Sequence, residues 1–212
     1  MERHSQRVAY GETIVELGAE KPNVVALEAD LGKSTMSTLF QQAYPERYFE
    51  MGIAEADMIS TAAGLAASGK IAFCSTFAVF AAGRAYDQIR QTVAIGKLNV
   101  KICGSSSGLS DFGDGSTHQA VEDVAIMTAI PNLTVFTPAD ADEVRLAVRA
   151  AAEIEGPVYI RVVRNDLPTY TKGEFKPGKL SILRPGNDVA IIAHGVMVEA
   201  AMNAADILEA KG

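Results

Sequence analysis

Glu55 heads an apolar helical pattern, Met51-Gly52-Ile53-Ala54-Glu55-Ala56-Asp57-Met58, continued by Ile59, Ala62, Ala63, Leu65 and Ala66. A helix this apolar packs inside a protein, so its leading carboxylate is carried inward. Burial without a partner penalises the charged form. The pKa is therefore expected to rise toward the range where the group exchanges a proton, or shares one with a ligand nitrogen, near neutrality. The plainer reading is a first-turn carboxylate answering the helix macrodipole.

Other residues invite the same double reading. Phe77 and Phe80 end the run Ser75-Thr76-Phe77-Ala78-Val79-Phe80, with Arg84, Asp87 and Arg90 following on a helical pattern. Such aromatics either fill a core or offer a face to a flat ring. Gly104 to His118 is rich in Ser and Gly and reads as a mobile loop. It holds Gly113-Asp114-Gly115, which no paired asparagine follows to make a metal site, and His118, one of three histidines. An imidazole there either shuttles protons or faces solvent. Arg7, Ser34 and Arg164, taken singly, read as surface residues or caps.

The elements that must position these residues alternate. Asn23 to Leu27, Ile71 to Ser75, Val100 to Cys103, Leu133 to Phe136 and Val158 to Val163 read as strands. Between them lie helical patterns at Arg7 to Leu17, Ala54 to Ser68, Ala81 to Ala94, Val121 to Thr128 and Ala141 to Ile154. Alternation of this kind predicts a doubly wound α/β fold: a parallel sheet covered on both faces. Thr137, with Pro138 in the first turn, is the expected cap of the last helix of the set. The expected domain occupies residues 1–165. Residues 166–186, which carry Pro168, Pro177, Pro185 and three glycines, read as a linker. In 187–212 a strand (Asp188 to Ala193) and a helix (Val196 to Lys211) read as the opening of an incomplete second α/β domain.

The 212 residues can bury a core, and 48% hydrophobic against 21% charged residues is ordinary globular composition. A net charge of −7 argues against nucleic acid or an anionic membrane as partner. The longest apolar runs, such as Val189 to Ala193, are strand-sized, and the polar start Met1-Glu2-Arg3-His4-Ser5-Gln6-Arg7 is no signal peptide. A cytoplasmic protein is the expectation. Cys74 and Cys103 lie in apolar strand patterns, with spacing that suits no metal site.

Five stretches together resemble the pyrimidine-binding half of transketolases, one branch of the thiamine diphosphate enzymes. They are Glu28-Ala29-Asp30-Leu31-Gly32-Lys33-Ser34, Gly52-Ile53-Ala54-Glu55, Ser75 to Phe80, Asp114-Gly115-Ser116-Thr117-His118-Gln119, and Pro131-Asn132-Leu133 with Thr137-Pro138-Ala139-Asp140. They stand in the family's order and spacing from Arg7 to Pro168. The resemblance implies that Glu55 bonds the cofactor's aminopyrimidine ring and drives it into an imino form that takes the thiazolium carbon proton. It implies that Phe77 and Phe80, with Phe80 foremost, contact that ring and that Asp30 lines the cofactor site. Asp114 and His118 would meet the donor sugar's hydroxyls, and Arg7, Ser34 and Arg164 its phosphate end, where guanidinium forks suit phosphate oxygens. Two departures stand out. Ser106 occupies a substrate position where transketolases usually carry histidine, and Gly83 stands where many carry an aromatic.

Transketolases hold Mg²⁺ and the diphosphate of thiamine diphosphate on a separate domain, and no segment of this sequence supplies those ligands. The resemblance therefore implies the C-terminal subunit of a split transketolase, moving a two-carbon ketol unit between sugar phosphates with an N-terminal subunit, as a dimer of heterodimers. Alternatives within the architecture are the β subunit of a 2-oxoacid dehydrogenase or a fragment of a deoxyxylulose-phosphate synthase. A different class is a non-catalytic interaction subunit. A nucleotide-binding module is disfavoured because no Gly-x-Gly-x-x-Gly turn follows the first strand.

Overall fold

The apolar runs form central strands that are buried along nearly their whole length, as a sheet covered on both faces requires. The computed structural model describes residues 2–212. In chain order the elements are β1 (Arg3–Ser5), α1 (Gln6–Glu20), β2 (Val24–Glu28), α2 (Gly32–Thr35), α3 (Thr38–Ala43), β3 (Tyr48–Glu50), α4 (Glu55–Ala67), β4 (Ile71–Phe77), α5 (Ala78–Gly83) and α6 (Tyr86–Gln88). There follow β5 (Val100–Ser105), α7 (Asp123–Thr128), β6 (Thr134–Phe136), α8 (Ala141–Glu153), β7 (Val158–Arg161), β8 (Asp166–Pro168) and α9 (Met197–Glu209). Six strands pair in parallel in the order β3-β2-β4-β5-β7-β6. This is the doubly wound sheet the alternation predicts.

Each face of the sheet has its own core. On one, Tyr10, Ile14 and Leu17 of α1 pack with Val144 and Val148 of α8 over Val24, Phe73 and Ile160. On the other, Met58, Ile59 and Ala62 of α4 pack with Ile89, Val93 and Met127 over Leu27 and Ile102. Full burial of one such large apolar side chain is worth about 1.5 to 3 kcal/mol, so the two layers hold the sheet's ends in register. Cys74 and Cys103 are buried and free.

Four local expectations are corrected. The cap of α8 is Asp140 and not Thr137: its Oδ1 accepts the Glu143 N–H at 2.9 Å, while Glu143 reaches back to the Ala139 N–H at 2.6 Å. That reciprocal pair satisfies two orphan donors at once, and Pro138 lies ahead of the helix. The helix expected from Ala81 to Ala94 is broken into α5, α6 and a π-helical turn over Ile89–Ala94. The break at Arg84 is used, as described below. Part of the expected linker, Asp166 to Pro168, is β8, paired antiparallel with β1 so that Arg3 faces Pro168 and Ser5 faces Asp166. Asp188 to Ala193 forms no strand. A strand needs a ladder partner, none is present there among the described residues, and Val189 and Ile192 are 70% and 76% exposed.

Candidate active site

In an open parallel sheet, ligands bind beyond the carboxyl ends of the strands. Here β2 ends at Glu28, β3 at Glu50, β4 at Phe77, β5 at Ser105 and β7 at Arg161, and apart from Arg7 on α1 the residues singled out from sequence lie at or after those ends.

Glu55 opens α4 and is 3% exposed. It is not a lone carboxylate: Arg84 Nη1 donates to its Oε1 at 2.9 Å. Arg84 reaches it from the interruption between α5 and α6, and its guanidinium also lies over the Phe80 ring, 4.1 Å from the centroid. Phe80 in turn is stacked with Phe77, centroids 5.9 Å apart and planes within 12°. His118 stands edge-on to both rings, at 5.2 Å from Phe80 and 6.0 Å from Phe77, and its Nδ1 shares a 2.8 Å hydrogen bond with the Thr117 hydroxyl. The fold thus gathers Glu55, Phe77, Phe80 and His118 from three separate segments, with Arg84 joining them. Below the aromatics, Thr76 Oγ1 and Ser105 Oγ are buried without a protein partner. Buried polar atoms are ordinarily satisfied, so this group of an inward carboxylate, flat apolar faces and orphaned hydroxyls fits a flat heterocycle with polar edges.

A second group forms around two arginines. Arg7 Nη1 donates to the Ser34 carbonyl at 2.9 Å, while its Nε is buried without a partner. Burial and the nearby Arg164 guanidinium lower the Arg7 pKa; Asp166 and Asp111 oppose them. Arg164 bonds Asp111 Oδ1 at 3.0 Å and lies 3.9 Å from Asp114 Oδ2. Two neighbouring guanidiniums, one from α1 and one from the segment between β7 and β8, can together grip an oxyanion. Asp114 and His118, four residues apart, therefore serve different groups: one faces the arginines, the other the aromatics.

Two predicted residues sit differently. Ser106 is 0% exposed, at φ +50°, with its Oγ unpartnered, so its hydroxyl is enclosed rather than presented to solvent. Asp30 is exposed at φ +61°, and it is its backbone N–H that is held, by Glu50 Oε1 at 2.8 Å.

Sequence reasoning missed the supports. Glu50 Oε1 also accepts the Gly52 N–H at 3.0 Å, tying the loop that leads to Glu55 to the loop that carries Asp30. Beside it, Glu28 is 0% exposed; its Oε2 accepts the Leu31 N–H at 2.6 Å and its Oε1 is unpartnered. Burial pushes Glu28 up to about 8, the Leu31 bond opposing and the Glu50 carboxylate reinforcing. Under the His118 loop, Asp123 Oδ2 accepts from Tyr159 Oη at 3.0 Å and Arg161 Nε at 2.9 Å. Gly104 makes room for that network: a Cβ there would lie 2.1 Å from Tyr159 Oη. A carboxylate ending an apolar strand, as Glu28 does, was a readable signal; Asp111, within a loop rich in Ser and Gly, carried none.

Residues 3–169 match the family described as "Transketolase, pyrimidine binding domain", and residues 178–212 match "Transketolase, C-terminal domain". The chain is 46% identical over 210 residues to a Methanocaldococcus jannaschii protein named for a transketolase C-terminal section, covering 97% of this chain and 66% of the relative. It is 42% identical over 214 residues to a 6-deoxy-6-sulfo-D-fructose transketolase subunit from Clostridium sp., covering 100% of this chain and 66% of the relative. The chain thus spans about two thirds of the length of these curated relatives. A solved structure described as "Split gene transketolase, inactive beta4 tetramer" superposes with a TM-score of 0.90 at 50% identity, covering 100% of this chain and 69% of that one.

Proposed function

The chain belongs to the transketolase family, and on that premise we propose that it is the pyrimidine-binding, C-terminal subunit of a split, thiamine diphosphate-dependent transketolase. The observation that carries the reading is the convergence of Glu55, Phe77, Phe80 and His118 beyond the strand ends. When bound, thiamine diphosphate supplies the electron sink for carbon–carbon cleavage. Glu55 would hold the cofactor's pyrimidine edge, and its own burial would strengthen that bond. Phe80, with Phe77 behind it, provides the apolar face on which the ring rests. His118, hydrogen-bonded at Nδ1, has Nε2 left to exchange a proton with a donor hydroxyl. Arg7 and Arg164, with the Ser34 segment, hold the anionic end of the substrate, and Asp114 orients its hydroxyls. Asp30 borders the cofactor.

The Mg²⁺ and diphosphate ligands are assigned to an N-terminal partner subunit, the whole forming a dimer of heterodimers in the cytoplasm, working on sugars with an anionic terminus, sugar phosphates of the pentose phosphate kind among them. No helix among the described residues is long and apolar enough to cross a membrane. The Clostridium relative's name brings a sulfonated ketose within range as a donor.

The test is reconstitution. The purified chain, mixed with an N-terminal transketolase subunit, Mg²⁺ and thiamine diphosphate, should transfer ketol units from a ketose donor to an aldose phosphate. Alone it should neither turn over nor hold the cofactor at micromolar affinity by calorimetry. Absence of transfer by the mixture with every ketose donor, or tight cofactor binding by the chain alone, overturns the reading.

A further inference from the structure

The arginine pair carries a partner that the sequence reading did not assign. Asp111 is 0% exposed, bonds Arg164 at 3.0 Å, and has its other carboxylate oxygen buried with no protein donor. Its placement is deliberate in the fold: Ser110 Oγ accepts the Arg164 N–H at 3.1 Å, and Asp111 Oδ1 and carbonyl receive the Asp114 and Gly115 N–H groups at 3.4 and 3.2 Å. The turn that delivers Asp111 to Arg164 is thus itself pinned. A carboxylate enclosed this way is screened by salt and water far less than an exposed one.

The charges facing the anion are then few and countable. Arg7 and Arg164 are the cations. Asp111 is the buried anion, Asp114 lies 3.9 Å from Arg164 and is half exposed, and Asp166 acts on Arg7 from β8. One of the two guanidinium charges is already offset inside the protein. We propose that Asp111 is a specificity-determining residue that matches this site to a substrate terminus carrying one negative charge, a sulfonate-like oxyanion, in preference to a phosphate dianion. This rests on the ketose-binding role given above to Arg7 and Arg164. A second negative charge on the ligand meets Asp111 across a few ångströms of poorly screened space. At an effective dielectric of about 20 that repulsion is worth about tenfold to a hundredfold in affinity.

Binding, rather than turnover, is the readout. Calorimetry on the chain assembled with its N-terminal partner would compare a ketose 6-sulfonate with the same ketose 6-phosphate, for wild type, Asp111→Asn and Asp111→Glu. The wild type should bind the sulfonate about tenfold or more tightly than the phosphate at pH 7.5. Asp111→Asn should tighten phosphate binding about tenfold while moving the sulfonate little, and Asp111→Glu should keep the wild-type preference. A second arm needs no variant. A phosphate monoester gains its second proton at a pKa of about 6, so lowering the pH to 5.5 should narrow the wild-type ratio several-fold, because the sulfonate stays singly charged. A ratio near one, a ratio indifferent to pH, or binding of neither ketose at millimolar concentration overturns the proposal. The two readings fail separately: an assembly that binds the sulfonate selectively but transfers no ketol unit refutes the transketolase assignment and leaves Asp111's role standing.

Discussion

Replacing Glu28 by glutamine should stabilise the protein at neutral pH and abolish one component of its pH dependence. Glu28 is fully enclosed at the end of β2 next to Glu50, and its pKa is raised from 4.5 to about 8. Between those values the folded chain retains a proton that the unfolded chain gives up. The folded state then binds more protons, and stability falls as pH rises. Integrated from pH 4.5 to 7 at about 1.36 kcal/mol per unit, the loss is about 3 kcal/mol, reaching about 4 kcal/mol by pH 8, where the folded-state group is half ionised. Glutamine keeps the shape and does not titrate. Its carbonyl can still accept the Leu31 N–H, and its NH₂ stands where the proton of Glu28 faces Glu50. Urea unfolding of wild type and Glu28→Gln, measured from pH 4.5 to 8.5, should give curves that meet near pH 4.5 and separate by about 3 kcal/mol at pH 7. Two curves that run parallel through this range would refute the reasoning, since no proton would then be held on folding.

Glu55→Gln in the assembled enzyme should leave the fold intact and remove most turnover, because an amide cannot act as the carboxylate does on the pyrimidine; exchange of the thiazolium carbon proton, followed by NMR after acid quench, is the check. Asp123→Ala should cost about 3 to 5 kcal/mol, because it strands the buried Arg161 guanidinium and the Tyr159 hydroxyl, whereas Tyr159→Phe should cost only about 1 kcal/mol; denaturant midpoints of the two variants would show the contrast. From sequence, Ser106→His is expected to lower the KM for sugar phosphates. Full burial and φ +50° instead predict a loss of about 1 to 3 kcal/mol from overpacking, readable as a fall in thermal midpoint.

The sheet was legible because its signal is local and repeated. Runs such as Val24–Glu28 and Ile71–Phe77 are apolar on both faces, and only a covered parallel sheet makes that pattern stable. Of the four three-residue strands, only β6 falls in a run read from sequence; β1, β3 and β8 carry no such run, and β1 and β8 exist only because residues 163 positions apart meet. In the candidate site, Glu55, Phe77, Phe80 and His118 were singled out through the resemblance to transketolases, since each alone reads equally as a core, cap or solvent-facing residue. What no spacing reveals is which side chain answers which. Arg84 reaches Glu55 only because the helix breaks beside it, and Asp111 reaches Arg164 across 53 residues. Ser106 shows the converse. Its motif position was readable, but its left-handed turn, which encloses the hydroxyl, was not.

The pairing of Arg3–Ser5 with Asp166–Pro168 brings the entrance and the exit of the sheet domain to the same place. Everything between those two short strands, including both cores and every residue of the Glu55 and arginine groups, forms a loop of polypeptide closed at its own base. Such a unit is portable. Another chain can be joined ahead of Arg3, or the segment after Pro168 exchanged, without threading through the sheet or lengthening any of its connections. A gene could therefore be cut or fused at this point, at the cost of the contacts the following segment makes with the domain: the Tyr170 and Thr171 N–H bonds to Asp140 and the packing of Phe175 on Phe136.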